Sequence, residues 1–83
     1  MQNLNIYPNP SDVVLNFEYE QVPVGSVLEI VNAVGVNMLS LKLNTTSGKK
    51  EVIVDQFPAG VYIAKIMEEG KVVKLVKFNI LHH

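Results

Sequence analysis

The 83-residue chain has no cysteine, no arginine and no tryptophan, and its only histidines are its last two residues. Each absence removes a class of function. Without cysteine there is no disulfide staple, no thiolate nucleophile and no zinc site of the cysteine type. Without arginine, bidentate recognition of phosphate or carboxylate by a guanidinium is closed. Histidine confined to the terminus leaves no Ser-His or Cys-His pair to assemble, so an enzyme is not expected. A surplus of one charge is missing as well. Seven lysines stand against eight carboxylates for a net charge of −1, whereas a nucleic-acid binder carries a basic excess. No apolar run approaches the ~20 residues that span a bilayer. The N-terminus lacks the charged segment and apolar core of a signal peptide. The chain therefore reads as a piece of something larger or as an independently soluble domain.

What is present points to one dense domain. Hydrophobic residues make up 48% of the chain and charged residues 18%, the reverse of a disordered composition. A chain this short buries only roughly 60–65% of its unfolded surface, so the core has to be compact for its size.

The apolar residues recur with period two, the signal of half-buried strands. Val13, Leu15, Phe17 and Tyr19 share one face of a run whose other face carries Val14, Asn16, Glu18 and Glu20. Leu28 and Ile30 oppose Glu29 in a second run, which Asn32-Ala33-Val34-Gly35 interrupts with turn chemistry. Leu39, Leu41 and Leu43 alternate with Ser40 and Lys42, and a polar loop, Asn44 to Lys49, follows. Val52 and Val54 then point inward, Phe57-Pro58-Ala59-Gly60 turns, and Val61 to Met67 forms a strand. Glu68-Glu69-Gly70-Lys71 closes a tight hairpin into Val72–Ile80. With Leu4–Tyr7 this predicts about seven short strands and no helix. Two packed antiparallel sheets are expected, since a single sheet would leave an apolar face in water. An immunoglobulin-like antiparallel β-sandwich is the expected fold, with a small barrel as the alternative.

Few residues invite chemistry. The carboxylate pairs Glu18/Glu20 and Glu68/Glu69 fall on a solvent face and a hairpin tip, where neither is buried enough for acid–base work. Ser47-Gly48-Lys49-Lys50 resembles a phosphate loop only superficially: Leu43 stands where its first glycine belongs and Lys50 where a Ser/Thr belongs. Asn44-Thr45-Thr46 matches a glycosylation acceptor and reads as a plain loop. Lys71, Lys74 and Lys77 would share a helical face, but the valines between them favour a strand. On a strand Lys74 falls with Val72, Val76 and Phe78, facing the core. Either its stem packs and its ammonium escapes at a sheet margin, or a bulge resets the register. Edge lysines that block unwanted pairing are one reading, and a cationic docking feature is the other.

Specific strings then carry more than periodicity does. Leu4-Asn5-Ile6-Tyr7-Pro8-Asn9-Pro10 opens the chain, followed by Val13-Val14-Leu15-Asn16-Phe17 and by Leu28-Glu29-Ile30-Val31-Asn32-Ala33-Val34-Gly35. Phe57-Pro58-Ala59-Gly60-Val61-Tyr62 and Gly70-Lys71-Val72-Val73-Lys74-Leu75-Val76-Lys77-Phe78 complete the series. In order and spacing this resembles the type A C-terminal sorting domain of the type IX secretion system, over essentially residues 4–80. Asn32 stands where the family often has Asp, and Phe57 where it usually has Leu; both swaps keep the local chemistry.

The resemblance implies an address rather than a catalyst, with no cofactor, metal or small-molecule substrate. Its partners would be the type IX translocon, shuttle proteins and a sortase-like peptidase. Its cargo would pass through the periplasm to the outer membrane, cell surface or medium. Residues 1–3 would be a linker remnant, and Leu81-His82-His83 reads as the remnant of an affinity tag. The motif positions Pro8, Asn9, Pro10, Gly35, Pro58, Gly60, Tyr62, Lys74 and Lys77 are the expected recognition residues. Pro10 should extend Asn9, whose side chain can then accept from the Ser11 N–H and stiffen the corner. Self-association through an edge strand is open, with the short N-terminal strand, broken by Pro8, as the expected edge. The rival reading is an immunoglobulin-like accessory or adhesion module binding carbohydrate or protein. The six aromatics fall mostly on core faces, which disfavours a sugar platform.

Overall fold

A computed structural model of the chain describes residues 3–8 and 13–82. Among the described residues seven strands follow one another: β1 (Asn3–Tyr7), β2 (Val14–Glu20), β3 (Val27–Asn32), β4 (Asn37–Lys42), β5 (Gly48–Ile53), β6 (Gly60–Glu68) and β7 (Lys71–Ile80). They form a three-stranded sheet, β1-β2-β5, and a four-stranded sheet, β4-β3-β6-β7, in which every pairing is antiparallel. The two sheets close on one core, so the chain is a β-sandwich of immunoglobulin-like architecture. Its fourth strand lies beside the third rather than beside β5.

Alternation decides which residues enter that core. Leu4, Leu15, Phe17, Tyr19 and Val52 project from the three-stranded sheet; Leu28, Ile30, Tyr62, Ala64, Ile66, Phe78 and Ile80 project from the other. Phe17 and Phe78 meet edge to face across the interior, with centroids 5.6 Å apart and an interplanar angle of 83°, the arrangement that ring quadrupoles favour. Val13 departs from the expected inward face. It precedes β2 and is 49% exposed, because the chain has not yet entered the ladder that would fix its side.

The hairpin between β6 and β7 turns through Glu69 and Gly70 at φ +50° and +79°, with Glu68 and Lys71 as the closing pair. Positive φ at both central residues is the geometry that matches strand twist. Just beyond, the register slips: Ile66 faces Lys74 while Met67 faces Val72, so Val73 is the extra residue of a bulge in β7. A bulge is present, but it lies beyond Lys74 and does not change the side that Lys74 takes. The bulge turns Val72 outward, where it is 49% exposed, and Lys74 keeps its core-side parity half-buried. Lys74 is thus not the exposed residue its docking role presumed, and it points away from the face that carries exposed Lys77.

Candidate functional site

The antiparallel registers sort the loops between two ends. Tyr7, Val14, Ile53, Asn32, Gly60 and Ile80 lie at one end, while Asn3, Glu20, Gly48, Val27, Glu68 and Lys71 lie at the other. The motif-bearing turns therefore converge on the first end, although they are far apart in sequence.

One of them is the β3–β4 turn, built around the side chain of Asn32. Its Oδ1 accepts from the Val34 N–H at 3.1 Å and from the Val36 N–H at 2.9 Å. The Asn32 N–H donates to the Val36 carbonyl at 2.9 Å, and the Gly35 N–H to the Asn32 carbonyl at 3.0 Å. Gly35 sits at φ +89°, a conformation that a Cβ would strain. These bonds need the carbonyl-type oxygen of Asn or Asp, so the family's alternation between the two has a physical basis.

The second turn is built by Tyr62. Its ring is 3% exposed, and its hydroxyl donates to the Pro58 carbonyl at 2.5 Å. That bond ties the head of β6 to the turn before it, the device known in immunoglobulin-like folds as a tyrosine corner. Burial raises the Tyr62 phenol above its ordinary value near 10. Gly60 opens β6 at φ +151°. The Phe57 ring lies 5.9 Å from Tyr62, and Tyr62 stacks on Phe78 at 5.8 Å. With Phe17 this makes a run of rings from the surface turn into the three-stranded sheet. Phe57 in place of leucine is accounted for by that contact.

Between the two turns lies a shallow groove of about 210 Å3, lined among others by Asn32, Val34, Met38, Pro58, Val61 and Tyr62. Val34 is 83% exposed at its rim. Pro8 lies at the same end but on the other sheet, following β1 across a cis Tyr7–Pro8 bond. The Asn16 Nδ2 donates to the Tyr7 carbonyl there at 3.2 Å. Asn9, Pro10 and the Asx turn expected at Ser11 lie outside the described residues. The structure thus brings the Asn32–Gly35 turn to Pro58, Gly60 and Tyr62, sets Pro8 at the same end on the other sheet, and leaves Lys74 out in the middle of β7. Lys77 is three residues from the end of β7, on its outer face. His82 Nε2 lies 2.6 Å from the Phe57 carbonyl oxygen. Asn32 and Val34 were not among the expected recognition residues, and the signal that could have found them is an Asn three residues before a turn glycine.

Elsewhere the chemistry is sparse. Glu18, Glu20 and Glu69 are exposed and Glu68 is half-buried. Gly48 accommodates a close approach of side chains. An added Cβ there would stand 2.8 Å from the Tyr19 hydroxyl, which itself bonds Thr45 Oγ1 at 2.9 Å. Among the described residues, no three His, Cys, Asp or Glu side chains gather as a metal site.

Fold and site together define an immunoglobulin-like module whose distinctive turns are gathered at one end. The chain belongs to the family of secretion system C-terminal sorting domains, whose family model matches residues 5–80. Domains of this family are the C-terminal sorting signal of type IX secretion, an address rather than a catalytic unit. Among solved structures, the chain is similar to part of PorZ of Porphyromonas gingivalis, described as an essential bacterial surface component of the type IX secretion system. The TM-score is 0.69 at 19% identity, over 96% of this chain and 12% of that one, so the likeness is one of fold. No curated protein sequence matches the chain.

Proposed function

We propose that this domain directs a cargo protein across the outer membrane through the type IX secretion system, using its motif-bearing end as the docking surface. The observation that carries the reading is the convergence at one end of turns from separate parts of the chain: the Tyr7–Pro8 corner, the Asn32–Gly35 turn and the Pro58–Tyr62 turn. Tyr62, Gly60 and Gly35 hold those turns in shape, while Val34, Pro58 and Lys77 present exposed surface. A translocon or shuttle protein is the partner that this surface serves. A sortase-like peptidase then cuts upstream of Leu4, and the cargo is released or retained at the cell surface.

The test is a fusion of residues 1–80 behind a signal peptide and a fluorescent reporter, expressed with and without a working type IX translocon. Reporter outside the first strain and held in the periplasm of the second is the expected result. Retention in both, with the domain folded, overturns the reading. Within the same assay, Val34→Ser with Lys77→Ala should lower export while leaving the melting curve unchanged. Normal export of that variant would remove the docking role from this end of the molecule.

A further inference from the structure

The outer faces of the two sheets differ in a way that the sandwich itself does not require. On the three-stranded sheet, the outward positions are mostly polar: Asn3, Asn5, Asn16, Glu18, Glu20, Lys49 and Glu51 are among them. An antiparallel sheet with one solvated face should read so. On the four-stranded sheet, the two central strands carry Val27, Glu29 and Val31 (β3) and Val61, Ile63, Lys65 and Met67 (β6) outward. Val31 is only 7% exposed yet stands outside the core cluster. Val27, Ile63 and Met67 are half-buried and are likewise not packed against that core. A second apolar strip therefore runs along the β3/β6 seam on the outside of the molecule. Val-Leu-Glu-Ile-Val and Val-Tyr-Ile-Ala-Lys-Ile-Met are near-continuous apolar runs, the pattern of strands covered on both faces.

The register across the seam is self-complementary. Across the seam Val27 faces Met67, Glu29 faces Lys65, and Val31 faces Ile63. A two-fold axis laid along the seam, parallel to the strands, brings β3 of one molecule over β6 of another at the same height. Val27 then meets Met67 of the second copy, Val31 meets Ile63, and Glu29 and Lys65 form two reciprocal opposite-charge pairs at the centre. The flanking strands follow suit. β4 comes over β7, so Ser40 lies over Leu75, Asn37 over Lys77 and Lys42 over Val72, with no like charges opposed. Self-complementarity of this kind is the requirement of an isologous interface. The extents of 36 × 23 × 18 Å give the sandwich a broad side that can supply the roughly 800 Å2 per partner of a standard interface. Two sheets packing face to face are skewed by about 30°, which separates the rims and keeps the central Glu29/Lys65 row in contact.

We propose that the outer face of the four-stranded sheet is a homodimer interface, with a second copy of this chain seated across the β3/β6 seam through Val27, Val31, Ile63, Met67 and the Glu29/Lys65 pair. This surface meets the motif-bearing end only at Lys77, which Asn37 of the second copy overlies; dimerisation leaves the Asn32–Gly35 and Pro58–Tyr62 turns free and does not depend on the sorting role.

Sedimentation equilibrium of the whole chain between about 10 µM and 1 mM reads the proposal directly. Wild type should show a concentration-dependent dimer. Glu29→Lys and Lys65→Glu, each alone, should raise the dissociation constant by about tenfold or more, because each sets like charges against one another. Mixing the two variants should restore association, since one then presents two cations and the other two carboxylates. That rescue separates the interface from any effect of the same residues within one chain, which mixing cannot relieve. Far-UV circular dichroism of each variant checks that the sandwich is intact. A wild type that stays monomeric throughout overturns the proposal. So does a dimer indifferent to both substitutions, which would place self-association at an edge strand instead.

Discussion

Tyr62 shows how one side chain can serve packing and turn geometry together. Its ring fills the core while its hydroxyl holds the Pro58 carbonyl, so removing the hydroxyl alone separates the two roles. Tyr62→Phe should cost about 1 kcal/mol, the worth of a typical internal hydrogen bond, when unfolding is followed in urea at neutral pH. The bond needs the neutral phenol, because a phenolate has no proton to donate. Burial raises the folded pKa, so as pH climbs past about 10 the unfolded chain releases its proton first. The stabilisation is complete below that pH and is lost as pH rises through the folded value. Urea titrations of wild type and Tyr62→Phe from pH 8 to 11 should therefore converge toward the alkaline end. At the far end of the sandwich, Gly48→Ala should destabilise by about 1–3 kcal/mol through overpacking against Tyr19. The penalty should shrink in a Tyr19→Phe background, where the offending oxygen is gone, and a double-mutant thermal cycle reads that coupling.

At the scale of the element, the turns are held by two different means. The Asn32–Gly35 turn depends on a side chain that satisfies two backbone N–H groups. Asn32→Ala should cost about 1–2 kcal/mol, and Asn32→Asp should recover most of it, as measured by the denaturant midpoint. The β6–β7 hairpin depends on backbone geometry instead. Gly70 stands at φ +79° with open space where a Cβ would go, so Gly70→Ala meets no clash and only conformational strain. A loss of about 1–2 kcal/mol is expected there, with Gly70→Asn milder, in the same measurement. The β7 bulge belongs to this scale too. It turns Val72 out to the solvent, where a straight strand would have carried it inward beside Lys74.

At the scale of the molecule, the proposed docking surface is assembled from turns that lie far apart in sequence. On that reading the stability of the fold is part of the address. Phe17→Ala removes a fully buried ring that meets Phe78, a change worth about 3–5 kcal/mol. For a domain of this size that approaches the whole folding free energy, which lies at the low end of about 5–15 kcal/mol. In the reporter fusion, Phe17→Ala should leave the cargo in the periplasm and open to protease, although every motif residue is still present. Export at the wild-type level would mean that a linear string, not a surface, is read.

Much of this was legible without coordinates. The period-two runs placed the strands, and the glycine, proline and asparagine clusters placed the turns, because strand pleat and turn φ values are local demands on local residues. The inward faces of β2, β3 and β5 could be read off directly for the same reason. The string of motifs sufficed to indicate the family. What needed the tertiary structure was everything set by register between strands distant in sequence. Strand order, the bulge at Val73 and the outward turn of Val13 and Val72 all depend on which residue pairs with which, whereas the opposite faces of Lys74 and Lys77 already follow from their spacing. Gathering the Asn32–Gly35 and Pro58–Tyr62 turns at one end, and aligning Glu29 with Lys65 across an apolar seam, are likewise products of pairing. Alternation within a strand says which residues share a face; only the hydrogen-bonded neighbour says what that face meets.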